Sequence, residues 1–347
     1  MPRFIALSLL MALLACLPAT LKAQETAGLY EGVVAVSSQD QAQREAALPV
    51  ALAQVLVKVS GDTRAGALAN GVAALSLMSQ YRYRQGVEMV EGLPQLRSNL
   101  VVQFDQRAVE RLLASAGRTA WPMPRPAPLV LLSIDDGSGF RLLTRASASA
   151  VPALGAAAER RGIGLRYPDY DANEQTVLRA TDLATEETYA VDKVAQRYGG
   201  PVLLGSLQRG GAGWQARWRL REGGEMLGDW RAEEADSSSA LFAGVNGAAD
   251  LLARRYVQLV LSGPAGTYPA FIEGIGSAAD FARALSTLRA QPIVREARVT
   301  SASGERLAVE LDLSAGIEGL TRLLDRSHVL RSTAPAADGT VVFVLSR

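Results

Sequence analysis

Three tryptophans near the middle of the sequence have the side chains best suited to holding a ligand. Trp214 and Trp218 lie in the run WQARWRL, where apolar and polar residues alternate, and Trp230 lies in the next extended segment. Alternate residues of a strand point to one face of its sheet, so these tryptophans are expected to share a face. Their rings would form a platform that stacks on sugars or glycan strands. The alternative is that they pack beneath the helix beginning at Ser237, because large aromatic side chains dominate cores.

An acidic loop offers oxygen atoms that suit a cation. Asp169, Asp171 and Asn173 have the one-three-five spacing of a calcium-binding loop. An EF-hand also needs glycine at the sixth position and glutamate at the twelfth, where this sequence has Glu174 and Ala180. An EF-hand is therefore excluded, and a different cation site and a solvated acidic loop remain. We expect Asp169 and Asp171 to belong to an interaction surface in either case.

A glycine motif near the carboxyl end resembles a dinucleotide-binding loop. Gly274, Gly276 and Ala279 fit the pattern G-x-G-x-x-A. A dinucleotide fold needs successive parallel β-α-β units, whereas Gly304 predicts that the next two strands form an antiparallel hairpin. The motif is therefore predicted to be a tight turn, with Ser277 as the N-cap of the following helix.

The count of histidines excludes several metal and catalytic sites. Asp135 and Asp136 follow a predicted buried strand, as an acidic pair does in polysaccharide deacetylases, but those enzymes also use paired histidines. His328 is the only histidine of this sequence, so histidine triads and histidine-rich zinc sites are excluded. The acidic pair is predicted to form a strand-end turn, and His328 is expected to cap the end of a helix.

Other nucleophilic groups are scarce. Cys16 is the only cysteine, and it lies in a predicted leader. Neither Lys58 nor Lys193 follows a serine at the spacing of an SxxK enzyme, and no P-loop motif occurs. We therefore assign no catalytic, cofactor-binding or metal-binding residue and expect no cofactor. A pair of carboxylates of the glycosidase kind stays open, because its spacing is set in space.

The amino-terminal residues have the pattern of an export signal. Arg3 precedes an apolar run over residues 4–15, which is too short for a transmembrane helix. A small residue at position 23 predicts that residues 1–23 are a cleaved signal peptide and that the mature protein is periplasmic. The alternative is a lipid anchor at Cys16, which would make the protein an outer-membrane lipoprotein. No later segment has the length and apolarity of a transmembrane helix.

The composition bounds the size and the partners of the mature protein. The 347 residues suffice for two or three domains, and 48% of them are hydrophobic. The 36 Lys and Arg residues balance 35 Asp and Glu residues, which argues against a dedicated nucleic-acid-binding protein.

Apolar periodicity and turn residues predict an α+β (mixed α/β) protein of two or three small units. The third unit is predicted to have the order β-α-β-β-α-β, which is that of a ferredoxin-like fold. Its last strand is predicted to be one segment over residues 329–345. The predicted segments are a unit at 24–120, a proline-rich linker at 121–128, a central α/β unit at 129–261 and the ferredoxin-like unit at 266–347.

The best-defined local structure is a strand that leads into a long amphipathic helix. Residues 29–36 are predicted to form the strand, and apolar residues then recur at helical spacing until Gly61, where the helix is expected to end. Ser38 and Gln41 have the spacing of a capping box. Pro49 lies inside the helix, so we expect a bend or two abutting helices there.

Several runs of the sequence resemble a known group of exported proteins. They are LYEGVVAV, REAALPVALAQVLVKVSGD, AAERRGI, YPDYD and VAQRYGGPVLLGSL, together with the junction at 121–126. Over residues 28–260 the chain resembles the proteobacterial exported family called domain of unknown function 2066. The second unit also resembles, at the level of the fold, the N-terminal module of TolB and related envelope assembly factors. These resemblances imply an envelope location and give no catalytic residue.

Three functions are compatible with this sequence. The first is a non-enzymatic envelope protein that binds another protein or a cell-wall polymer. The second is a carboxylate-dependent hydrolase of glycans, and the third is a periplasmic protein that binds a small ligand between domains. The scarcity of reactive side chains favours the first, with Trp214, Trp218, Trp230, Asp169 and Asp171 as its candidate interaction surface.

Overall fold

The computed structural model describes residues 28–90, 93–147, 149–185, 189–260, 263–291, 293–327 and 329–346. The predictions for the leader, for Cys16 and for His328 concern residues outside these ranges. Helices and both mixed and antiparallel sheets make up the described chain, so the predicted α+β class is confirmed. The chain divides between Ala120 and Trp121 into two compact units.

The first unit is a three-stranded antiparallel sheet with helices. The sheet has the order β1-β3-β2, in which β3 pairs with both neighbours. Its elements are a 3-10 turn Gly28–Tyr30, β1 (Glu31–Val36), α1 (Gln41–Ser60), a 3-10 segment Thr63–Gly71, α2 (Ala74–Leu77), β2 (Met78–Val90), β3 (Leu93–Phe104) and α3 (Gln106–Ser115).

Helix α1 differs from its prediction at its start. Asp40 is the N-cap, and its side chain accepts a hydrogen bond from the Gln43 amide at 2.8 Å. The predicted capping box on Ser38 is therefore wrong, because the nearer carboxylate takes the free amide. Pro49 lies within one helix, so two abutting helices are also wrong; the apolar stripe stays buried on both sides of it.

The second unit begins with a five-stranded sheet of order β5-β4-β6-β7-β8. Strands β4 and β6 are parallel, and the other pairs are antiparallel. The strands are β4 (Leu129–Asp135), β5 (Arg141–Leu142), β6 (Val202–Gly210), β7 (Gly213–Glu222) and β8 (Glu225–Glu234). The helices are α4 (Ala150–Arg161), α5 (Ala172–Val177), α6 (Tyr189–Tyr198) and α7 (Ser237–Val260), with a 3-10 turn Ala180–Leu183.

A second five-stranded sheet completes this unit, with the order β10-β11-β9-β13-β12. Its elements are β9 (Gly266–Glu273), α8 (Ala278–Arg289), β10 (Val294–Ser303), β11 (Arg306–Leu313), α9 (Ile317–Ser327), β12 (Leu330–Ser332) and β13 (Val341–Leu345). The β-α-β-β-α order agrees with the prediction. The predicted last strand is instead a hairpin, because Gly339 turns the chain at a φ of 83°, and β13 then runs parallel to β9.

One hydrophobic core serves both sheets of the second unit. It extends from Val130 and Leu132 of β4, through the buried stripe of α7, to Phe343 of β13. Leu129 and Leu131 of β4 face a separate cluster beneath α6. Strand β4 is thus buried on both faces, which explains why its sequence is almost continuously apolar.

The segment predicted as a linker packs on the second unit. Trp121 is buried in the core of that unit. The guanidinium of Arg125 lies 4.6 Å from the Trp121 ring and donates a hydrogen bond to the carbonyl of Gly162 at 2.8 Å. None of the described helices combines the length and the apolarity that crossing a membrane requires.

Candidate functional site

A cleft of about 470 Å³ opens at the carboxyl end of β4. Strands β4 and β6 are parallel there, and open α/β sheets place ligand crevices outside the carboxyl ends of their strands. The walls come from β4, β5, the start of β7 and the first residues of α4 and α7. The lining residues are Ile134, Asp136, Arg141, Leu142, Leu143, Ser147, Ser149, Ala150, Trp214, Ser237 and Leu241.

Trp214 forms a flat apolar wall of this cleft. It lies near the start of β7, where it is opposite Arg209 of β6 and Glu234 of β8. The residue is half-buried and packs at the edge of the main core. A tryptophan held on one side by the core keeps its other side available, which is the arrangement that ring stacking on a ligand requires.

A turn after β4 places a charged pair beside the ring. Asp135 Oδ1 accepts hydrogen bonds from the amides of Gly137 and Gly139, both at 2.9 Å, so the acidic pair forms a strand-end turn as predicted. Asp136 accepts a hydrogen bond from Ser138 Oγ at 2.6 Å and pairs with Arg141. The Ser138 hydroxyl, followed by the Arg141 guanidinium, lowers the pKa of the Asp136 carboxyl. The cleft therefore offers an ionised carboxylate acceptor and an arginine donor.

The amino-terminal ends of two helices complete the cleft. Ser149 and Ala150 lie at the start of α4, and Ser237 begins α7. Asp236 caps α7 by accepting a hydrogen bond from the Ser239 amide at 2.9 Å. Ser149 and Ser237 therefore add hydroxyl groups to the lining of the cleft.

The other two tryptophans are packed against α7. Trp218 is fully buried, and its Nε1 donates a hydrogen bond to the carbonyl of Ala240 at 3.2 Å. Trp230 is opposite Trp218 on β8, and its Nε1 donates to the carbonyl of Ala243 at 3.2 Å. A ligand cannot reach Trp218, so the predicted surface of three tryptophans does not form.

Glycines of α7 explain why these rings lie so close to the helix. A Cβ atom at Gly244 would be 2.3 Å from the Trp218 ring, and one at Gly247 would be 2.5 Å from the Trp230 ring. The two glycines lie three positions apart, on adjacent turns of one helix face. Trp214 is thus the tryptophan of the three that lines the described cleft.

The predicted acidic loop is neutralised by arginine. Asp171 caps α5 by accepting hydrogen bonds from the amides of Asn173 and Glu174, both at 3.0 Å. The Glu174 amide, followed by Arg197, lowers the pKa of the Asp171 carboxyl. Asp169 is 3.5 Å from Arg145. Neither aspartate lines the cleft, and the described residues contain no cluster of acids, histidines or cysteines that suits a metal ion.

Glu174, beside that loop, is buried and well satisfied. It accepts hydrogen bonds from Tyr198 Oη and from the Tyr170 amide, both at 2.7 Å, and from Arg197 Nη1 at 3.0 Å. Tyr170 has the positive φ of 48°, which its position before the α5 cap imposes. Glu174 therefore ties the loop to α6 through its hydrogen bonds with Tyr198 and Arg197.

Glu222 is a second acidic residue, partly buried, and no sequence motif indicates its environment. Glu222 ends β7 between two small hollows, which share Gly200 and Gly223 in their walls. Tyr256 Oη donates a hydrogen bond to Oε1 of Glu222, and Arg255 Nε forms an ion pair with Oε2 at 2.9 Å. Burial raises the pKa of the Glu222 carboxyl despite these partners. Both partners come from α7, far from β7 in the sequence, so local spacing carries no sign of the cluster.

Comparison with known proteins identifies one domain. Residues 23–122 match the model of a family described as a domain of unknown function, DUF8605. This match includes the described first unit and gives it no activity. No curated protein and no solved structure matches the chain.

Proposed function

We propose that this protein is an exported, non-enzymatic component of the cell envelope that binds a polymer through the Trp214 cleft. The observation that carries the proposal is the half-buried Trp214 residue, which lines a cleft of about 470 Å³ at the carboxyl end of β4. The export pattern of residues 1–23 supports the location.

The arrangement of the cleft suits a sugar ring of a glycan. One face of a sugar ring is apolar enough to stack on indole, while its hydroxyl groups need donors and acceptors at the ring edge. Asp136 and Arg141 supply a carboxylate and a guanidinium beside Trp214, and Ser149 and Ser237 supply hydroxyl groups on the helix side. A few placed polar groups around an apolar wall are typical of ligand sites.

The same cleft gives little support to hydrolysis of a glycan. A glycosidase uses two carboxyl groups, one of which has a raised pKa so that it can act as an acid. Asp136 is the one carboxylate among the described lining residues, and the pKa of its carboxyl is lowered. It therefore serves better as a hydrogen-bond acceptor than as a proton donor.

Binding of soluble peptidoglycan fragments, measured by calorimetry on the mature chain, tests the proposal. We expect Trp214→Ala to weaken binding about tenfold, which corresponds to roughly 1.4 kcal/mol and is in the range of truncating a tryptophan at a binding site. Tyr189→Ala is the matched control, because Tyr189 is an exposed aromatic residue that does not line the cleft. Absence of binding, or equal loss in both variants, would refute the proposal.

Turnover of the same fragments tests the non-enzymatic part. The intact protein should leave the number of reducing ends unchanged. Release of reducing ends that disappears in Asp136→Asn would establish the hydrolase alternative instead.

We also propose that the chain is related to the exported family that its sequence resembles. The resemblance to domain of unknown function 2066 and to TolB-like modules supports a role in envelope assembly, with another envelope protein as a further partner. Mass spectrometry of the mature amino terminus tests the location: we expect a chain that begins at Gln24, whereas a diacylated Cys16 would show a lipoprotein.

A further inference from the structure

The first unit protects one edge of its sheet and leaves the other open. Strand β2 pairs only with β3 among the described residues, over a length of 13 residues. An unpaired edge presents a row of backbone donors and acceptors that another strand can bind. Strand β2 contains no proline and no lysine, and its one bulge lies at its start, between Met78 and Gln80. No proline interrupts its pairing, and the charged side chains of Arg82 and Arg84 restrict which partner strands suit it.

The opposite edge of the sheet is β1, and helix α1 contacts its backbone. Gln54 of α1 makes two hydrogen bonds to the backbone of Val33, and Lys58 Nζ donates to the carbonyl of Glu31 at 3.0 Å. Gly32 lets the helix approach so closely that a Cβ there would be 2.4 Å from the carbonyl oxygen of Ala51. Helix α1 thus covers the first half of edge β1, whereas no described element covers the outer edge of β2.

One side of β2 carries two tyrosines, of which Tyr81 is exposed and Tyr83 is half-buried. Tyr81 is 43% exposed, and the Arg44 guanidinium lies 4.9 Å from its ring. Tyr83 contacts Tyr81 edge to face, with the ring centres 6.0 Å apart, and donates a hydrogen bond to the carbonyl of Gln39 at 3.2 Å. Tyrosine and arginine are the residue types enriched where binding energy concentrates.

The other side of β2 is basic. Arg82 and Arg84 alternate with the tyrosines and therefore face the opposite way, and both are exposed. Glu31 pairs with Arg82 at 2.7 Å. A second copy of β2 laid antiparallel across this part of the edge would bring its arginines against these two, and like charges opposite each other destabilise a strand pair. The charge pattern favours a different, acidic partner.

We propose that β2 accepts an extended segment of a partner protein as a fourth strand of the sheet. The segment would alternate apolar residues, which pack beside Tyr81 and Tyr83, with acidic residues, which face Arg82 and Arg84. Main-chain hydrogen bonds supply affinity in such strand addition, and alternate side chains supply specificity. This site is in the first unit and does not depend on the Trp214 cleft.

Two synthetic peptides about as long as β2 test the proposal on the full mature chain. One alternates Val with Glu, and the other alternates Val with Lys. Fluorescence anisotropy should show about tenfold tighter binding of the acidic peptide, since cross-strand charges determine the choice of partner. Amide hydrogen exchange across residues 78–86 should slow in the complex, because the outer amides of β2 become hydrogen-bonded.

Charge-reversal variants distinguish binding at the edge of β2 from a general electrostatic attraction between the protein and the acidic peptide. Arg84→Glu should remove the preference for the acidic peptide, whereas Arg107→Glu, an exposed arginine on α3, should keep it. Equal binding of the two peptides, or unchanged exchange in β2, would overturn the proposal. Self-association of the intact protein that slows exchange across residues 78–86 would also overturn it, because a second copy would then be the occupant.

Discussion

The side-chain amide of Gln54 binds the backbone of Val33 through both of its polar atoms. Its Oε1 accepts from the Val33 amide and its Nε2 donates to the Val33 carbonyl, both at 2.9 Å. A neighbouring strand would normally make this pair of hydrogen bonds, and here a glutamine side chain on a helix makes them. The amide and carbonyl of Val33, which would otherwise remain unpaired at this edge, are satisfied inside the same unit.

Gln54→Ala should destabilise the first unit. The change removes both hydrogen bonds and leaves a partly buried amide and carbonyl unpaired, which costs on the order of 1–3 kcal/mol. Urea unfolding, combined with hydrogen exchange at Val33, measures the loss. Gln43→Ala on the exposed face of α1 is the control and should change the stability by about 0.5 kcal/mol or less. Similar values for both variants would show that the Gln54 contact contributes nothing specific.

Two glycine-to-alanine changes on helices should have opposite effects. Gly244→Ala places a methyl group 2.3 Å from the buried Trp218 ring, and such overpacking costs roughly 1–3 kcal/mol. Gly155→Ala on α4 has open space around the new atom and should stabilise by about 0.5–1 kcal/mol, because alanine favours the helix. Thermal unfolding of the two variants distinguishes these outcomes. A stable Gly244→Ala protein would mean that the ring can move away.

Glu222 should make the stability depend on pH. Burial raises the pKa of its carboxyl above the ordinary value of 4.5 in the folded state, so the folded protein holds this proton more tightly than the unfolded chain does. Its favourable contribution is complete below the unfolded pKa and is lost as the pH rises through the folded pKa. Glu222→Gln removes this dependence and keeps an acceptor for Tyr256.

Urea unfolding of both proteins between pH 4 and 8 measures that difference. The stability of the intact protein, relative to Glu222→Gln, should increase as the pH falls. A difference that is constant across this range would show that the Arg255 ion pair cancels the effect of burial on this carboxyl, and one that decreases on acidification would show that it outweighs burial.

Local sequence signals were sufficient for much of the secondary structure. The helix over residues 106–115 begins at Asp105, whose side chain accepts a hydrogen bond from the Ala108 amide, and Ser277 caps α8 in the same way. The turns at Gly61 and Gly162 also end helices in the left-handed conformation. These helix caps and turns depend on a few neighbouring residues, so they can be predicted from a single sequence.

The candidate cleft depends on contacts that sequence does not contain. Alternation placed Trp214 and Trp218 on one face, but the depth of burial was set by the approach of α7, which Gly244 permits. The role of Arg197 as partner of the acidic loop required a helix 26 residues away in the chain. The pairing of Trp214 with Asp136 and Arg141 in one cleft likewise arises from the order of the sheet.

The shared core of the second unit limits how this chain can be rearranged. Apolar side chains of β4, α7 and β13 belong to one continuous cluster, so neither sheet brings a complete interior of its own. If one sheet were moved into another protein, apolar side chains that the rest of the unit now covers would become exposed. This would happen both on the moved sheet and on the chain left behind. The first unit, which has compact contacts of its own, is therefore a better piece to exchange between proteins than either sheet of the second unit.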